Sequence, residues 1–185
     1  MSLADNDRWL LSYYRSSEIN GALFFGRVAR TIRGPLQANV THHFADEAAH
    51  AHYWTACISD LDSTPLALGR GYQDQYLDAV GMPANLMEVM AITQVFERRV
   101  IGQYRRHLRY PGIQAAVRRT IERIMVDERW HISYVRDALA GMAQRYGEAE
   151  VAQTLDRFDA ADREVYARTL AEYGDRIAFL ADPAP

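Results

Sequence analysis

The sequence predicts an all-α protein: an antiparallel bundle of four long helices, with one long connection between the second and third, followed by a fifth helix. Three observations predict it. Four stretches repeat apolar residues every three or four positions, which places them on one face of a helix. Gly34-Pro35 and Pro111-Gly112 punctuate the chain where two of these stretches should turn back. No stretch alternates apolar and polar residues as a half-buried strand would.

The first helix is predicted over roughly 7–33, with Leu11, Glu18, Ala22, Phe25, Ala29 and Ile32 on one face. The second covers roughly 36–61, where Leu36, Val40, His43, Glu47, His50, Trp54, Ile58 and Leu61 form the stripe. The third covers roughly 84–109 with Leu86, Met90, Thr93, Glu97, Val100, Tyr104 and Leu108. The fourth covers roughly 113–143 with Ile113, Val117, Ile121, Ile124, Glu128, His131, Val135, Ala138 and Met142. A fifth helix, roughly 148–180, repeats Val151, Leu155, Phe158, Val165, Leu170 and Ile177 at looser spacing. Nothing in it suggests chemistry, so it should pack outside the bundle or against a second subunit. Short turns join the first helix to the second and the third to the fourth, and short turns make antiparallel neighbours. The segment Asp62 to Pro83, 22 residues, is long enough to run the length of the bundle. A short helix around Tyr72–Val80 fits inside it, and Tyr72 and Tyr76 are candidates to cap a pocket.

Composition narrows the function classes. The 185 residues suit one domain, 1–185, with the core bundle at about 7–143 and the last helix at about 148–180. The net charge is −3 and the 21 basic residues, all arginine, form no block, which argues against a nucleic-acid footprint. Cys57 is the only cysteine, so neither a disulfide framework nor a Cys-rich metal site is available. No apolar run approaches the ~18 residues of a membrane span, and no basic-then-apolar leader opens the chain. A cytoplasmic protein without a membrane partner is the expectation.

The chemistry lies in a repeated motif. Asp46-Glu47-Ala48-Ala49-His50 and Asp127-Glu128-Arg129-Trp130-His131 both read D-E-x-x-H, each inside a core-facing stripe. Helical residues i and i+3 lie ~60° apart and ~4.5 Å along the axis, so Glu and His at that spacing can reach one metal ion. One E-x-x-H is weak, because 10 Glu and 6 His in 185 residues supply about 0.3 copies by chance. Two copies preceded by Asp are a stronger signal. Each also has a partner: Glu18 lies 29 residues before Glu47, and Glu97 lies 31 residues before Glu128. In two antiparallel hairpins all six side chains reach a similar depth. One Glu from each of two helices and one Glu-x-x-His from each of the others is the donor set of dimetal carboxylate bundles. Four core-facing glutamates need compensation, and two divalent cations would supply it. Mixed carboxylate and imidazole donors suit iron, or alternatively manganese, better than copper or zinc.

With Glu18, D-E-A-A-H, Glu97 and D-E-R-W-H, the chain over about 12–143 resembles the ferritin-like superfamily of non-haem di-iron proteins. That superfamily includes bacterioferritins, rubrerythrins and di-iron oxygenases. The resemblance implies a ferritin-like bundle with two irons held by Glu18, Glu47, His50, Glu97, Glu128 and His131, which would also carry the catalysis. It further implies that Asp46 supports His131 and Asp127 supports His50, each carboxylate taking the free N–H of the opposite histidine. The implied activity is O2-dependent oxidation of a small organic substrate, with an electron donor as a further partner and a homodimer as the expected assembly. The alternatives are a ferroxidase or iron-storage subunit, and a rubrerythrin-like peroxidase. One cysteine rules out the four-cysteine rubredoxin domain usual in rubrerythrins. A bacterioferritin holds haem through a methionine of its second helix, and no methionine occurs here between Met1 and Met82, so no haem is expected.

Other residues receive plainer readings. His43 is read as a packing or capping histidine, with contact to the ligands as the alternative. His42, His52 and His107 should point outward. Tyr14, Tyr104 and Tyr134 are read as core aromatics near the ligands, with electron donation or hydroxylation as the alternative. Phe25, Phe44, Trp54, Met90 and Met125 are assigned to the core, and Thr93 and Ala22 to the walls of a pocket. Gly21 and Gly102, each costing roughly 1 kcal/mol inside a helix, imply a close approach or a bulge.

Overall fold

The computed structural model describes residues 3–180, and these are helical throughout apart from turns and linkers. Six α-helices occur among them: α1 (Asp5–Thr31), α2 (Gln37–Asp60), α3 (Tyr72–Val80), α4 (Leu86–Arg109), α5 (Ala115–Tyr146) and α6 (Glu148–Ile177). A single 3-10 turn, Ala178–Leu180, follows α6. The five long helices and the short one predicted in the connection are all present, with ends shifted by up to three residues.

Local chemistry sets several of these ends. Asn85 caps α4, its side-chain oxygen accepting the Glu88 N–H at 3.0 Å. Asp74 reaches back to the Gly71 N–H at 2.9 Å and closes the first turn of α3. Gly147 is the only residue between α5 and α6. Its φ of +91° lets the chain break direction there without the steric penalty a side chain would bring.

Residue pairs across the helices fix their directions. On the α1–α2 face, Arg15 bonds Thr55 at 2.8 Å and Phe25 stacks on His43 at 3.7 Å, so numbers rise on one helix as they fall on the other. The same descending order joins α2 to α5 through His43–Tyr134, Asp46–His131 and His50–Asp127. It joins α1 to α4 through Tyr14–His107 and Glu18–Tyr104. It joins α4 to α5 through Glu97–His131 and Leu108–Arg118. The four long helices are therefore antiparallel to each of their neighbours. Fully buried Trp54, Ile58, Met90, Ile92, Ile121, Ile124 and Val135 fill the space between them. No helix among the described residues is long and apolar enough to cross a membrane.

Helix α6 lies along α4 and also touches α3, α5 and α1, burying Phe158, Val165 and Ile177. It does more than cover the bundle. Asp162 in α6 accepts hydrogen bonds from Arg99 of α4 and from Tyr72 of α3, with the Arg99 and Asp162 side chains only 8% and 10% exposed. Tyr76 donates to the Phe158 carbonyl at 2.7 Å. Tyr72 and Tyr76 thus turn toward α6 and do not cap the cavity described below. Phe44, expected in the core, is 38% exposed and lies over Gly26.

His107 also departs from expectation. The outward-facing flank of α4 on which it sits is covered by Phe179 of the C-terminal turn, 5.2 Å away between ring centres, and the residue is buried. Its Nδ1 lies 3.2 Å from the Tyr14 hydroxyl. Burial pushes its pKa down to about 4. In the unfolded chain a histidine titrates near 6.5, so between these values the unfolded state binds a proton that the folded state refuses. Stability contributed by neutral His107 is therefore complete above pH 6.5 and is lost as pH falls toward 4. The loss is at most about 3 kcal/mol, from a shift of roughly 2.5 units at 1.36 kcal/mol each. Denaturant unfolding of wild type and His107→Gln at pH 7 and pH 4.5 should show the variant losing less stability on acidification.

Candidate metal centre

Glu18 stands on α1, Glu47 and His50 on α2, Glu97 on α4, and Glu128 and His131 on α5. All six are buried, the two histidines completely. Their donor atoms form two groups, each with all its atoms within 4.8 Å of one another. One is Glu18, Glu47, His50 and Glu128; the other is His43, Glu47, Glu97 and His131. Glu47 belongs to both. The six residues singled out by motif and offset therefore meet at one level of the bundle, and His43 joins them.

The histidines are held from behind. His50 Nε2 lies 3.1 Å from Asp127 Oδ2, and His131 Nε2 lies 3.2 Å from Asp46 Oδ2. A carboxylate there accepts the Nε2 proton and leaves Nδ1 of each ring facing the glutamates. His50 Nδ1 is 3.3 Å from Glu128 Oε1 and 3.6 Å from Glu18 Oε2, yet it makes no hydrogen bond among the described residues. This buried ring nitrogen, aimed into two carboxylates, is placed to share a cation with them or to carry a proton between them. His131 Nδ1 sits 3.2 Å from Glu128 Oε2 and 3.7 Å from Glu97 Oε2.

Electrostatics gives the same picture. Burial, and then the neighbouring charges of Glu18, Glu97 and Glu128, hold the Glu47 carboxyl well above the usual carboxylate range. Burial and the Glu128 charge do the same to Glu97. Glu128 goes the other way: burial would raise it, but hydrogen bonds from Glu97 and His131 and the close approach of the His50 ring outweigh burial and keep it ionised. Burial alone would lower His50, but Glu128 and Glu18 push it up to about 12. His131 is raised likewise against its burial, by Asp46, Glu128 and Glu97. In the protein alone, protons on Glu47, Glu97, His50 and His131 balance the cluster. Divalent cations would displace those protons, so the residues fit a pair of metal ions by charge as well as by donor type.

Three further side chains complete the centre. Tyr104 donates to Glu18 and accepts from Trp54 Nε1 at 3.0 Å, so Glu18 is anchored through two aromatic residues. His43 is sandwiched between Phe25 and His131, with ring centres 3.7 and 3.6 Å away. Its Nδ1 is 2.8 Å from the Tyr134 hydroxyl, and its Nε2 is 3.1 Å from Glu47 and 3.0 Å from Glu97. Burial and the adjacent His131 hold its pKa well below normal, so it is neutral. The signal for His43 was its stripe position one turn before Glu47. Gly21 has a specific cause: a Cβ there would stand 2.0 Å from Glu47 Oε2, so the carboxylate fills the space a side chain would need. His42 and His52 are exposed, as expected, and His42 reaches Asp46 Oδ1 at 3.5 Å.

One cavity, of about 130 Å³, opens on this cluster between α1, α3 and α4. Glu18, Glu47, Glu97 and Glu128 border its inner end. Phe24, Phe25, Leu77, Phe96 and Val100 supply apolar walls, Thr93 lines it as expected, and Gly21 does so in place of Ala22. Its volume is roughly ten times the 10–15 Å³ that one water needs on the same measure. Comparison of the chain with family models, with curated proteins and with solved structures gives no match.

Proposed function

We propose that this chain is a ferritin-like di-iron oxidoreductase that uses O2 to oxidise a small organic substrate. The observation that carries the reading is the convergence of four buried glutamates and two buried histidines beneath an apolar-walled cavity. Since α1 and α5 each run antiparallel to both α2 and α4, residues 61–85 must return along the bundle. That return supports reading them as the long crossover of a ferritin-like bundle.

Glu18, Glu47, His50, Glu97, Glu128 and His131 would hold two iron ions, with manganese as the other metal such donors suit. Bound there, the ions would supply the electrons and the open coordination positions for reducing O2. The chain itself does the rest. Asp46 and Asp127 fix which nitrogen of His131 and His50 faces inward. Tyr104 orients Glu18, and Tyr134 with His43 keeps the second group from rotating. The apolar walls leave room for an organic molecule beside the carboxylates. An external electron donor is required wherever the substrate supplies fewer electrons than O2 consumes. A homodimer is the proposed assembly.

The second reading, a ferroxidase or iron-storage subunit, shares the donor set. Repeated additions of ferrous iron in air, followed by desalting and iron analysis, separate the two. An oxidoreductase should retain about two irons per chain at monomer or dimer size and consume O2 further only when reductant is supplied. Iron accumulating far beyond that in a multi-subunit cage would sink the oxidoreductase reading.

A further inference from the structure

The cavity over the glutamate cluster does not end at its mouth. Phe24, Arg27 and Met82 border both the cavity and an open groove that continues along the end of α1. Arg27, Arg30 and Arg33 line that groove together with Val28, Ile32, Leu86 and Val89. Leu23 and Met82 flank the mouth and are 61% and 59% exposed, an apolar rim where a soluble surface would ordinarily be polar.

Charge is distributed unevenly along this path. The inner end carries Glu18, Glu47, Glu97 and Glu128. The outer end carries the three arginines, and no ion pair among the described residues reaches Arg27, Arg30 or Arg33; Arg33 bonds only the carbonyls of Arg30 and Ile32. The nearby acids are already engaged. Asp74 at the mouth takes the Gly71 N–H and the Asn20 amide, Asp78 pairs with Arg70, and Glu88 pairs with Arg157. With the inner carboxylates balanced as described above, the uncompensated charge along the path is that of the arginines, so an anion is attracted to the outer end. Between the two ends Phe24, Phe25, Leu77, Phe96 and Val100 supply a mainly apolar stretch, beside the polar Asn20, Gln73 and Asp74. Glu18 and Arg27 are nine residues apart on α1, about 14 Å along the axis, which requires an elongated ligand.

We propose that the cavity and groove together bind an amphiphilic organic anion, with its alkyl or aryl end toward the glutamates and its carboxylate or phosphate head on Arg27, Arg30 and Arg33. That it is then oxidised rests on the function proposed above; the binding does not. The polarity follows from the arginines at the outer end, unpaired among the described residues, and the apolar side chains further in, so the apolar end is the one presented to the reacting centre.

Octanoate, octyl phosphate and octan-1-ol serve as probes, titrated calorimetrically into the full chain with its iron content measured in parallel. Either anion should bind at least about tenfold more tightly than the alcohol, and Arg27→Ala/Arg30→Ala should weaken the anions about fivefold or more while leaving the alcohol unchanged. Val100→Trp, which fills the cavity, should abolish binding of all three while iron uptake persists. Stronger binding of octanoate than of octyl phosphate, or the reverse, identifies the head group. The proposal is overturned if octan-1-ol binds as tightly as the anions. It is equally overturned if the arginine double variant binds octanoate like wild type, or if protein that loads iron and consumes O2 binds neither anion. Failure to load iron with arginine-dependent octanoate binding intact would instead remove the oxidoreductase reading and leave this one standing.

Discussion

Iron titrated anaerobically into Glu47→Ala or His131→Ala is expected to find no tight site, whereas the wild-type chain takes up about two ions. Glu47 matters most because it is the carboxylate common to both donor groups, so its loss degrades both together. His131→Ala removes one inward-facing nitrogen and leaves Asp46 with only the exposed His42 beside it among the described residues. Glu47→Ala should still fold, since in the metal-free protein that carboxyl is held protonated and its removal leaves no unpaired charge behind. Gly21→Ala approaches the same carboxylate from the other side. It adds a better helix former, worth up to about 1 kcal/mol to stability, yet it forces Glu47 to move. Iron affinity should fall while the unfolding midpoint holds or rises. Elemental analysis after desalting gives the occupancy, and circular dichroism the fold. Stoichiometric iron retained at wild-type affinity by Glu47→Ala or His131→Ala would sink the ligand assignment.

The largest effect on stability should come from Arg99→Ala. It leaves the Asp162 carboxylate buried in the α4–α6 seam with Tyr72 as its remaining partner among the described residues, and it removes the guanidinium lying 3.8 Å over the Tyr166 ring. Breaking a buried ion pair from one side costs about 3–5 kcal/mol, a large share of the 5–15 kcal/mol typical of a domain. Removing both charges with Arg99→Met/Asp162→Leu should recover most of that loss. The network also holds α3, whose opposite face supplies Gln73, Asp74 and Leu77 to the cavity. Urea unfolding compares the variants; a change below about 1 kcal/mol for Arg99→Ala would show that the pair is solvated rather than structural.

The helices and the six converging donors were legible because periodicity states which face of a helix turns inward, and matching offsets state at what depth. Periodicity does not state what lies opposite that face. His43 was visible as an inward residue, but Phe25, Tyr134 and Glu97, which determine its role, come from three other helices. His107 turns inward where the sequence points it outward, and Asp162 is buried without any signal in the sequence, for a common reason. In a four-helix bundle alone, the flank of α4 that bears His107 would face water. The α6 helix and the turn after it convert that flank into an interior. The loosely periodic fifth stretch gave no hint that a carboxylate in it would be buried. Gly21 announced a close approach but not its partner, which is a side chain on the next helix. Arg27, Arg30 and Arg33 form no block in the sequence; the groove they share exists only once α1 meets the segment from Met82 to Val89.

The bond from Trp54 to Tyr104, and from Tyr104 to Glu18, places an indole two hydrogen bonds from the cluster, in a fully dry setting. Trp9 sits elsewhere, beside Tyr173, whereas Trp130 packs beside His42 and against the His131 ring, 5.6 Å between centres. Trp54 is therefore an intrinsic optical reporter: anything that repositions Glu18 alters the polarity its excited state senses. Occupancy of the centre can be followed by emission without a label, and Trp54→Phe separates that signal from the other two indoles.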